Sequence, residues 1–338
     1  MANAFFSTAG IAKSKELGNR GCNGTVEPGF WSVIIPTFRR QDVLCRCLEN
    51  LTEAAKFVDS IKVVLLDNGA PCLSGSVVER FVERLPITYQ ENAAGHGLGY
   101  SLSRGASLAR GALVLEINDD ALVPPTIFSD LQRVFDSDPT IGVVGVRAIE
   151  EGYAAGGEGI GRIDPKSCQV IGNFHLPTDE PIDVDHVYGF CYAYRRELLD
   201  KGAGHDQVLL ARDYSSGNRI ETDHCLMAKK LGYRVVYDGR IAVKHLAKPR
   251  PDMSERSPRW RINHTRNTLY LFLKHYGWLG NRAISARFCL KDLGIRSAIL
   301  RPSRENWAYV ATGFRARCSA VWHWLKWKAG AHRSGTSR

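Results

Sequence analysis

The sequence predicts an α/β fold in which helices flank both faces of a mostly parallel sheet. Between residues 30 and 117, strand-like apolar runs alternate with helical segments four times, which implies right-handed crossovers between parallel strands. Most positions in three of these runs are apolar, as is typical of strands covered on both faces. The runs also end in polar residues, and parallel strands gather such ends along one edge of the sheet. These polar ends are Thr37, Asp67-Asn68, Asn92 and Asp119-Asp120.

The first elements follow from local composition. Residues 1–28 are rich in Gly, Ser, Ala and Asn and lack periodicity, so we expect a disordered leader. Pro36 is expected to end the first strand. Helices are predicted around residues 42–51, over 74–84, and in a segment that ends near Arg110, because apolar residues recur there at helical spacing. The predicted strands are Phe30–Ile35, Ile61–Leu66, Ile87–Gln90 and Ala112–Ile117.

In the second half of the sequence, fewer strands and more helix are predicted. The segment 152–161 contains five glycines, and we expect it to form a flexible loop over the site. A domain is therefore predicted over 29–277, and a basic helical extension of one or two helices over 278–338. The predicted strands are 185–194, 233–237 and 240–245, and the predicted helices are 195–201, 221–231 and 263–276.

Charge and cysteine content limit the class of protein. The net charge of +10 favours anionic partners, which include nucleotide diphosphates, nucleic acid and acidic membrane surfaces. No nucleic-acid-binding motif is present, so nucleic acid is not an expected partner. The nine cysteines show neither CxxC pairs nor a zinc pattern, which favours a reducing compartment. With no visible signal peptide and no apolar run of about 18 residues, we expect a cytoplasmic protein.

Two adjacent carboxylates, Asp119 and Asp120, follow the buried run that ends at Ile117. Neighbouring carboxylates repel each other, so they are best tolerated when they are exposed or neutralised by a cation. Their hard oxygen atoms suit Mg²⁺ or Mn²⁺ that also touches a diphosphate. The alternative is a solvated turn that closes the strand, and this stretch alone does not decide between the two.

Six segments resemble glycosyltransferase family 2 in their order and spacing. They are SVIIPTFRRQDVLCRCLENL, VVLLDNGA, LVLEINDDALVPP, VYGFCYAYRRELLDKGAGHD, IETDHCLMAKKLGYRVVYDG and RNTLYLFLKHYG. The resemblance implies the GT-A fold, a Rossmann-like, mostly parallel sheet. It also implies inverting transfer of a sugar from a nucleotide diphosphate, with UDP or dTDP favoured, to a saccharide, lipid-linked or small-molecule hydroxyl. Members that resemble this chain include rhamnosyltransferase-like enzymes of cell-surface polysaccharides.

The resemblance assigns the metal and the sugar donor to the segment 118–120. Asp120 would bind Mn²⁺ or Mg²⁺, while Asp119 and Asn118 would contact the donor. Asn118 stands where the family commonly has an acid, although its side chain can still accept a hydrogen bond from a ribose hydroxyl. His245 matches a position at which relatives carry a histidine that contacts metal or diphosphate. A histidine that is merely buried, or part of a linker, is the alternative.

The nucleotide is assigned to the ends of the first two strands. By resemblance, Pro36 and Thr37 would lie beside the base or the ribose. Asp67 would accept a hydrogen bond from the imide N–H of uracil or thymine. A structural aspartate that closes the turn after the strand is the alternative for Asp67.

The catalytic base is sought in Glu221 and Asp223. By resemblance Glu221 takes the base position, while Ile220 replaces the acid that usually precedes it. The position at a helix N-terminus favours the ionised form of Glu221. Asp223 lies two positions further on, about 200° around the helix, so the two carboxylates cannot face the same hydroxyl. The alternative is that both are ordinary carboxylates of a first helical turn.

Two further questions stay open. Because Asn118 and Ile220 replace acids, a catalytically weak protein that binds nucleotide sugars or polysaccharide is the alternative function. In the C-terminal extension, Trp322, Trp324 and Trp327 lie among Lys and Arg, which suits a helix at a membrane surface. A helix that packs on the domain and closes it is slightly favoured there. A homodimer is compatible with the sequence.

Overall fold

The computed structural model describes residues 27–69, 71–93, 96–153, 158–209, 219–246, 258–277 and 293–333. The predicted leader is described only at residues 27 and 28, which belong to the first strand rather than to a leader. Part of the predicted glycine loop, residues 248–257 and residues 278–292 lie outside the described residues.

The described residues form strands and helices that mostly follow the predicted order. The strands are β1 (Glu27–Thr37), β2 (Ile61–Asp67), β3 (Ile87–Glu91), β4 (Gly111–Ile117), β5 (Ala121–Leu122), β6 (Ile141–Ile149), β7 (Arg162–Asp164), β8 (Gln169–Ile171), β9 (Ile182–Asp183), β10 (Cys191–Arg195) and β11 (Arg234–His245). The helices are α1 (Gln41–Ala55), α2 (Gly75–Glu79), α3 (Leu98–Leu108), α4 (Ile127–Ser137), α5 (Glu197–Asp200), α6 (Ile220–Lys230), α7 (Pro258–Tyr276), α8 (Ile295–Leu300) and α9 (Arg304–Arg333).

The main sheet has the strand order β3-β2-β1-β4-β10-β6-β11-β5, and β9 pairs with β11. Strands β1 to β4 are parallel to one another, and β6 is parallel to β11. Strand β10 runs antiparallel to both of its neighbours, β4 and β6. The mostly parallel sheet is as predicted, whereas the reversal at β10 and the pair α4 and β6 were not. The two late strands predicted at 233–237 and 240–245 are one strand, β11, which has an irregular register between Asp238 and Ala242.

Strand β1 runs through Pro36 to Thr37, so the prediction that Pro36 ends it was wrong. The backbone N–H and C=O groups of the odd-numbered residues in β1 point towards β2, since Trp31 N donates to Ser60 O and Thr37 O accepts from Asn68 N. The backbone nitrogen of Pro36 therefore points towards β4, where the pairing ends at Ile34 and Glu116. A proline without an N–H is tolerated there because that side has no ladder bond left to make.

Each face of the sheet is covered by a separate apolar layer. Val33 and Ile35 point into the layer formed with α1 and α4, whereas Ile34 points into the layer formed with α3, α6 and α7. Helix α3 lies very close to the sheet at Gly105, where an added Cβ would stand 2.5 Å from Ile34 Cγ2. These two layers fix the sheet edge at which the polar strand ends meet.

The C-terminal extension packs on this domain through α7. Ala316 and Ala320 of α9 are buried, and Trp324 packs against the layer that contains α7. Within the described ranges, no helix combines the length and the apolar character needed to cross a membrane.

Candidate functional site

Asp119 and Asp120 lie where β4 ends, against the end of β1. Thr37 Oγ1 donates to Asp119 Oδ2 at 2.7 Å. Arg40, the residue before α1, donates from Nη1 to Asp120 Oδ2 at 2.9 Å and from Nε to Asp119 Oδ2 at 3.3 Å. Its Nη2 also bonds Asp119 Oδ1. The side chains of Asp119 and Asp120 are only 1% and 8% exposed, so this is a buried carboxylate pair and not a solvated turn.

The two carboxylates differ in their protonation equilibria. Burial raises the pKa of Asp119 to about 6, although Arg40 opposes this shift. Burial also acts to raise the pKa of Asp120, but the contacts of Asp120 with His245 and Arg40 outweigh burial and hold that pKa below its ordinary value. The pair therefore depends on nearby positive charge to remain ionised in a site with little water.

His245, the last residue of β11, supplies part of that charge. Its Nε2 lies 3.2 Å from Asp120 Oδ1, and its Nδ1 hydrogen-bonds Glu150. The ring stacks on Phe190, with 4.6 Å between ring centroids. Burial acts to lower the pKa of His245, but the two carboxylates outweigh burial and raise that pKa to about 9. His245 is thus a buried histidine in contact with the predicted metal residue, and it does not belong to a linker.

Glu150 belongs to this group and was missed by the sequence analysis. It follows β6, and it accepts a hydrogen bond from Tyr188 Oη at 2.8 Å in addition to the contact with His245. The segment that forms β6 was left unassigned, so its polar end was not considered. The signal was the one that identified β2 and β4, namely an apolar run (141–146) followed by acids at the same sheet edge.

The residues present fit a divalent cation. Asp120 Oδ1 is buried, and the contact described for it is the one with His245 Nε2. Carboxylate oxygen and imidazole nitrogen suit Mn²⁺, and the oxygen also suits Mg²⁺. Among the described residues, no three side chains converge as a preformed metal cage. The remaining ligands of such an ion would therefore have to come from a bound diphosphate and water.

Asp67 closes the loop after β2. Its Oδ1 accepts from Gly69 N at 2.8 Å, and its Oδ2 accepts from Ser74 N at 3.1 Å and from Tyr89 Oη at 3.0 Å. The residue is fully buried. A base imide would thus have to reach an oxygen that already accepts a hydrogen bond from the protein.

Asn118 and Pro36 flank the carboxylate pair. Asn118 N donates to Phe190 O at 2.8 Å, which links the end of β4 to β10. The side chain of Asn118 is half-buried, whereas Pro36 is buried opposite Leu66 of β2. Both residues lie at the predicted sheet edge, Pro36 directly before Thr37 in β1 and Asn118 directly before Asp119 at the end of β4.

Glu221 lies in the first turn of α6 and packs against Gly189. A Cβ at Gly189 would stand 3.0 Å from Glu221 Oε2, so a larger residue would displace the carboxylate. Tyr188 and Phe190, the two neighbours of Gly189, both contact His245. Glu221 and His245 thus contact consecutive residues of one short segment, 188–190.

The protonation of Glu221 differs from the prediction. Burial raises its pKa above the ordinary value, while Arg219 and the Thr222 hydroxyl oppose the shift. The helix N-terminus was expected to favour the ionised form, but the loss of water around the carboxylate is the larger effect. A carboxylate with a raised pKa is a stronger base when it is ionised.

Asp223 faces α7. Its Oδ2 accepts from Lys274 Nζ at 2.8 Å, and its Oδ1 lies 2.7 Å from His275 Nε2. Burial acts to raise the pKa of Asp223, but His275 and Lys274 outweigh burial and hold that pKa below its ordinary value. Lys274 also binds Asp206 at 2.6 Å. Both oxygens of Asp223 are therefore engaged in joining α6 to α7.

Comparison with known proteins agrees with the resemblance seen in the sequence. The model of the family described as "Glycosyl transferase family 2" matches residues 32–202. The dolichol-phosphate mannosyltransferase of Pyrococcus furiosus is 22% identical over 169 residues, which are 50% of this chain and 47% of that protein. This chain thus spans about half the length of that relative.

Solved structures show the same fold. The structure of S. aureus TarS 1-349 in complex with UDP-GlcNAc aligns with 86% of this chain and 81% of that chain, with a TM-score of 0.56 and 15% identity. The structure of the mannosyltransferase PcManGT from Pyrobaculum calidifontis, in complex with GDP-Man and Mn²⁺, covers 91% of this chain and 88% of that chain. Its TM-score is 0.51 and its identity 18%. The predicted GT-A fold is confirmed.

Proposed function

The chain belongs to glycosyl transferase family 2, and we propose that it is an inverting enzyme that transfers a sugar from a nucleotide diphosphate to a hydroxyl group. The observation that supports this most directly is the buried Asp119–Asp120 pair at the end of β4, while Glu221 packs against Gly189, whose two neighbours contact His245. The printed descriptions of the two structural neighbours name complexes with UDP-GlcNAc and with GDP-Man. A nucleotide-sugar donor is the ligand that such a site suits.

The donor half of the proposed site is the edge formed by β1, β4 and β11. Asp120 and His245 would hold Mn²⁺ or Mg²⁺, which neutralises the charge that gathers on the leaving diphosphate. Asp119, held by Thr37, would orient the donor. Asn118 can bind a ribose hydroxyl through its amide.

The nucleoside is proposed to lie towards β2. Pro36 would lie beside the base or the ribose, and Asp67, whose carboxylate also organises the loop after β2, would accept a hydrogen bond from the base imide. UDP and dTDP remain the favoured donors. The imide contact of Asp67 is part of this proposal.

The acceptor half is proposed to be centred on Glu221. Its carboxylate would take the proton of the acceptor hydroxyl while the acceptor oxygen bonds to the anomeric carbon and the bond to diphosphate breaks. The raised pKa of Glu221 suits a base that works near neutral pH. Asp223 would position α6 through α7 and would not touch the acceptor.

A panel of UDP-, dTDP- and GDP-sugars tests this function. We expect one donor to stabilise the protein thermally in the presence of Mn²⁺, and that donor then to be consumed when a hydroxyl acceptor is supplied. The variant Glu221→Gln is the control, because it should keep the stabilisation and lose the transfer. Stabilisation without transfer to any saccharide, lipid-linked or small-molecule acceptor would favour the catalytically weak binding protein.

A second surface supports the proposal of peripheral contact with an anionic membrane. Apolar or small side chains are exposed along α9 at intervals of three and four residues, which places them within an arc of about 80°. This α9 stripe consists of Trp307, Ala311, Phe314, Cys318, Trp322 and Leu325. Exposed Ile299 and Leu300 of α8 precede it in the chain. Apolar residues beside basic ones suit the boundary between lipid headgroups and acyl chains.

Charge favours a membrane over a second copy of the chain. Residues 293–333 contain eight Lys and Arg residues and one acid, Glu305. Two such surfaces would repel each other, whereas anionic lipid would attract each of them. Exposed Lys326 and Lys328 flank the C-terminal end of the α9 stripe. A homodimer through this face remains the alternative outcome, and sedimentation at the working concentration tests it.

A further inference from the structure

Arg40 carries the guanidinium that binds both carboxylates of the proposed metal site. It bonds Asp119 through Nε and Nη2, and it bonds Asp120 through Nη1. Its backbone is fixed, since Arg40 O accepts from Leu44 N at 2.9 Å where α1 begins. The Arg40 side chain nevertheless stays 47% exposed, although the carboxylates that it binds are almost fully buried. A fixed backbone thus carries a long charged side chain that has open space on one side.

The guanidinium and a divalent ion would compete for this pair. Arg40 engages Asp120 Oδ2 and both oxygens of Asp119, which leaves Asp120 Oδ1 towards His245. A divalent ion on Asp120 would stand next to the guanidinium and be repelled by it. Without Arg40, however, Asp119 would lack its counter-charge, and Asp120 would keep only that of His245. A further cation is therefore needed beside the pair whenever both carboxylates are ionised.

We propose that Arg40 is an exchangeable counter-cation, which neutralises Asp119 and Asp120 in the free protein and moves to the donor diphosphate when a divalent ion binds Asp120. This inference rests on the proposed function. The planar guanidinium binds two phosphate oxygens at once, so the diphosphate offers it a partner as good as the carboxylates. The metal displaces the Arg40 guanidinium from the carboxylates, and the diphosphate gives that guanidinium a new partner. The metal and the diphosphate therefore bind cooperatively.

The neighbouring Arg39 provides a matched control. Its Nε donates to Gly69 O at 3.0 Å, in the loop after β2, and its backbone has a φ of 51°. Substituting Met at position 39 removes the same charge from the same turn, one residue away, and leaves the bonds of Arg40 to the carboxylates in place. A general electrostatic effect on metal affinity would appear in both variants.

The test measures Mn²⁺ binding to the full chain by calorimetry, first without nucleotide and then with UDP. We expect Arg40→Met to bind Mn²⁺ alone about tenfold more tightly than the unchanged protein, because the ion no longer displaces a charged hydrogen-bonding partner. UDP should tighten Mn²⁺ binding in the unchanged protein and in Arg39→Met. In Arg40→Met that tightening should be about tenfold smaller.

Equal Mn²⁺ affinity in Arg40→Met and the unchanged protein, or weaker affinity in the variant, would overturn the proposal. The same holds if Arg39→Met gains as much affinity as Arg40→Met. If Arg40→Met does not fold, Arg40→Lys serves in its place, because a lysine ammonium cannot bridge the two carboxylates as the planar guanidinium of arginine does. It should bind Mn²⁺ alone more tightly than the unchanged protein, and equality would again overturn the proposal. Sugar transfer is not part of this measurement, so a failure of the proposed activity would be seen separately.

Discussion

Two buried acidic groups of the described residues, Asp223 and the pair Asp119–Asp120, differ in the exposure of their basic partners. Asp223 is paired with Lys274 and His275, whose side chains are 6% and 1% exposed. Asp119 and Asp120 are about as buried, but Arg40, which binds both of them, is roughly half exposed, and only Asp120 has a second, buried basic partner in His245. The first arrangement closes an ion pair inside the protein, where no ligand can replace either partner. The second leaves the cation free to be replaced from solvent.

This difference separates structural carboxylates from binding carboxylates more clearly than the sequence does. Asp119, Asp120, Glu221 and Asp223 all lie at the beginning or end of an element, where a carboxylate is ordinary. Breaking a buried pair whose partners are also buried leaves an uncompensated charge. Removing a carboxylate whose partner reaches solvent lets that partner be hydrated, so the cost falls on ligand binding instead.

The largest effect is expected at the buried ion pair that Asp223 forms with Lys274 and His275. Asp223→Ala should lower the free energy of unfolding by about 3–5 kcal/mol, because it leaves Lys274 buried with one carboxylate fewer. Denaturant unfolding measures this change, and Asp119→Ala is the matched control, with a smaller expected loss because its basic partner Arg40 reaches solvent. A larger loss of stability for Asp119→Ala than for Asp223→Ala would reverse the comparison.

The ion pair of Asp223 with Lys274 and His275 also predicts that the free energy of unfolding depends on pH. The pKa of Asp223 is depressed in the folded protein, so its stabilising contribution is present above its unfolded pKa of about 4. The contribution is lost as the pH falls from there through the folded pKa. The stability difference between the unchanged protein and Asp223→Ala should therefore shrink below about pH 4. A difference that stays constant down to pH 2 would contradict this assignment.

Glu221 sharpens the comparison because it faces Gly189 at the site and not α7. Glu221→Gln keeps the size of the side chain and removes its basicity, so kcat should fall by roughly 10²-fold or more while donor binding is retained. Asp223→Asn is the control, and it should cost stability and only modest activity. If Asp223→Asn abolished turnover and Glu221→Gln did not, the base would be Asp223.

The carboxylate pair Asp119–Asp120, whose partner Arg40 reaches solvent, predicts an affinity for nucleotide that depends on metal. Nucleoside diphosphate should bind more tightly with Mn²⁺ or Mg²⁺ than in EDTA, and Asp120→Ala should abolish that difference. Calorimetry with UDP, in both conditions, measures it on both proteins. Equal affinity with metal and in EDTA for the unchanged protein would argue against a metal at Asp120.

The sequence predicted the elements that carry the open site better than the contacts within it. Runs such as Val63–Leu66 are apolar and are followed by polar residues, so β1 to β4 could be located and their ends brought together. A strand was predicted over 185–194, but the antiparallel direction of β10 was not, and the segment around β6 was left unassigned, so that Glu150 was missed. Neither the bridging by Arg40 nor the raised pKa of Glu221 could be predicted, because both depend on burial by residues far along the chain.

The smallest effect is expected on α9, where one tryptophan is packed against the domain and another is exposed. Trp324 packs against the core layer that contains α7, whereas Trp322 is 57% exposed among basic residues. The prediction that all three C-terminal tryptophans serve one surface thus needs correction, because Trp324 belongs to the packing side.

Trp322→Ala should weaken binding to anionic vesicles by about 1 kcal/mol, roughly fivefold, at unchanged melting temperature, since only an exposed ring is lost. Trp324→Ala should instead lower the melting temperature, because it removes a packed aromatic side chain. Co-sedimentation with vesicles at low salt, with neutral vesicles alongside, measures the first effect, and thermal unfolding measures the second. If the unchanged protein ignores anionic vesicles, exposure at α9 does not mark a membrane surface, and the extension serves to cover α7.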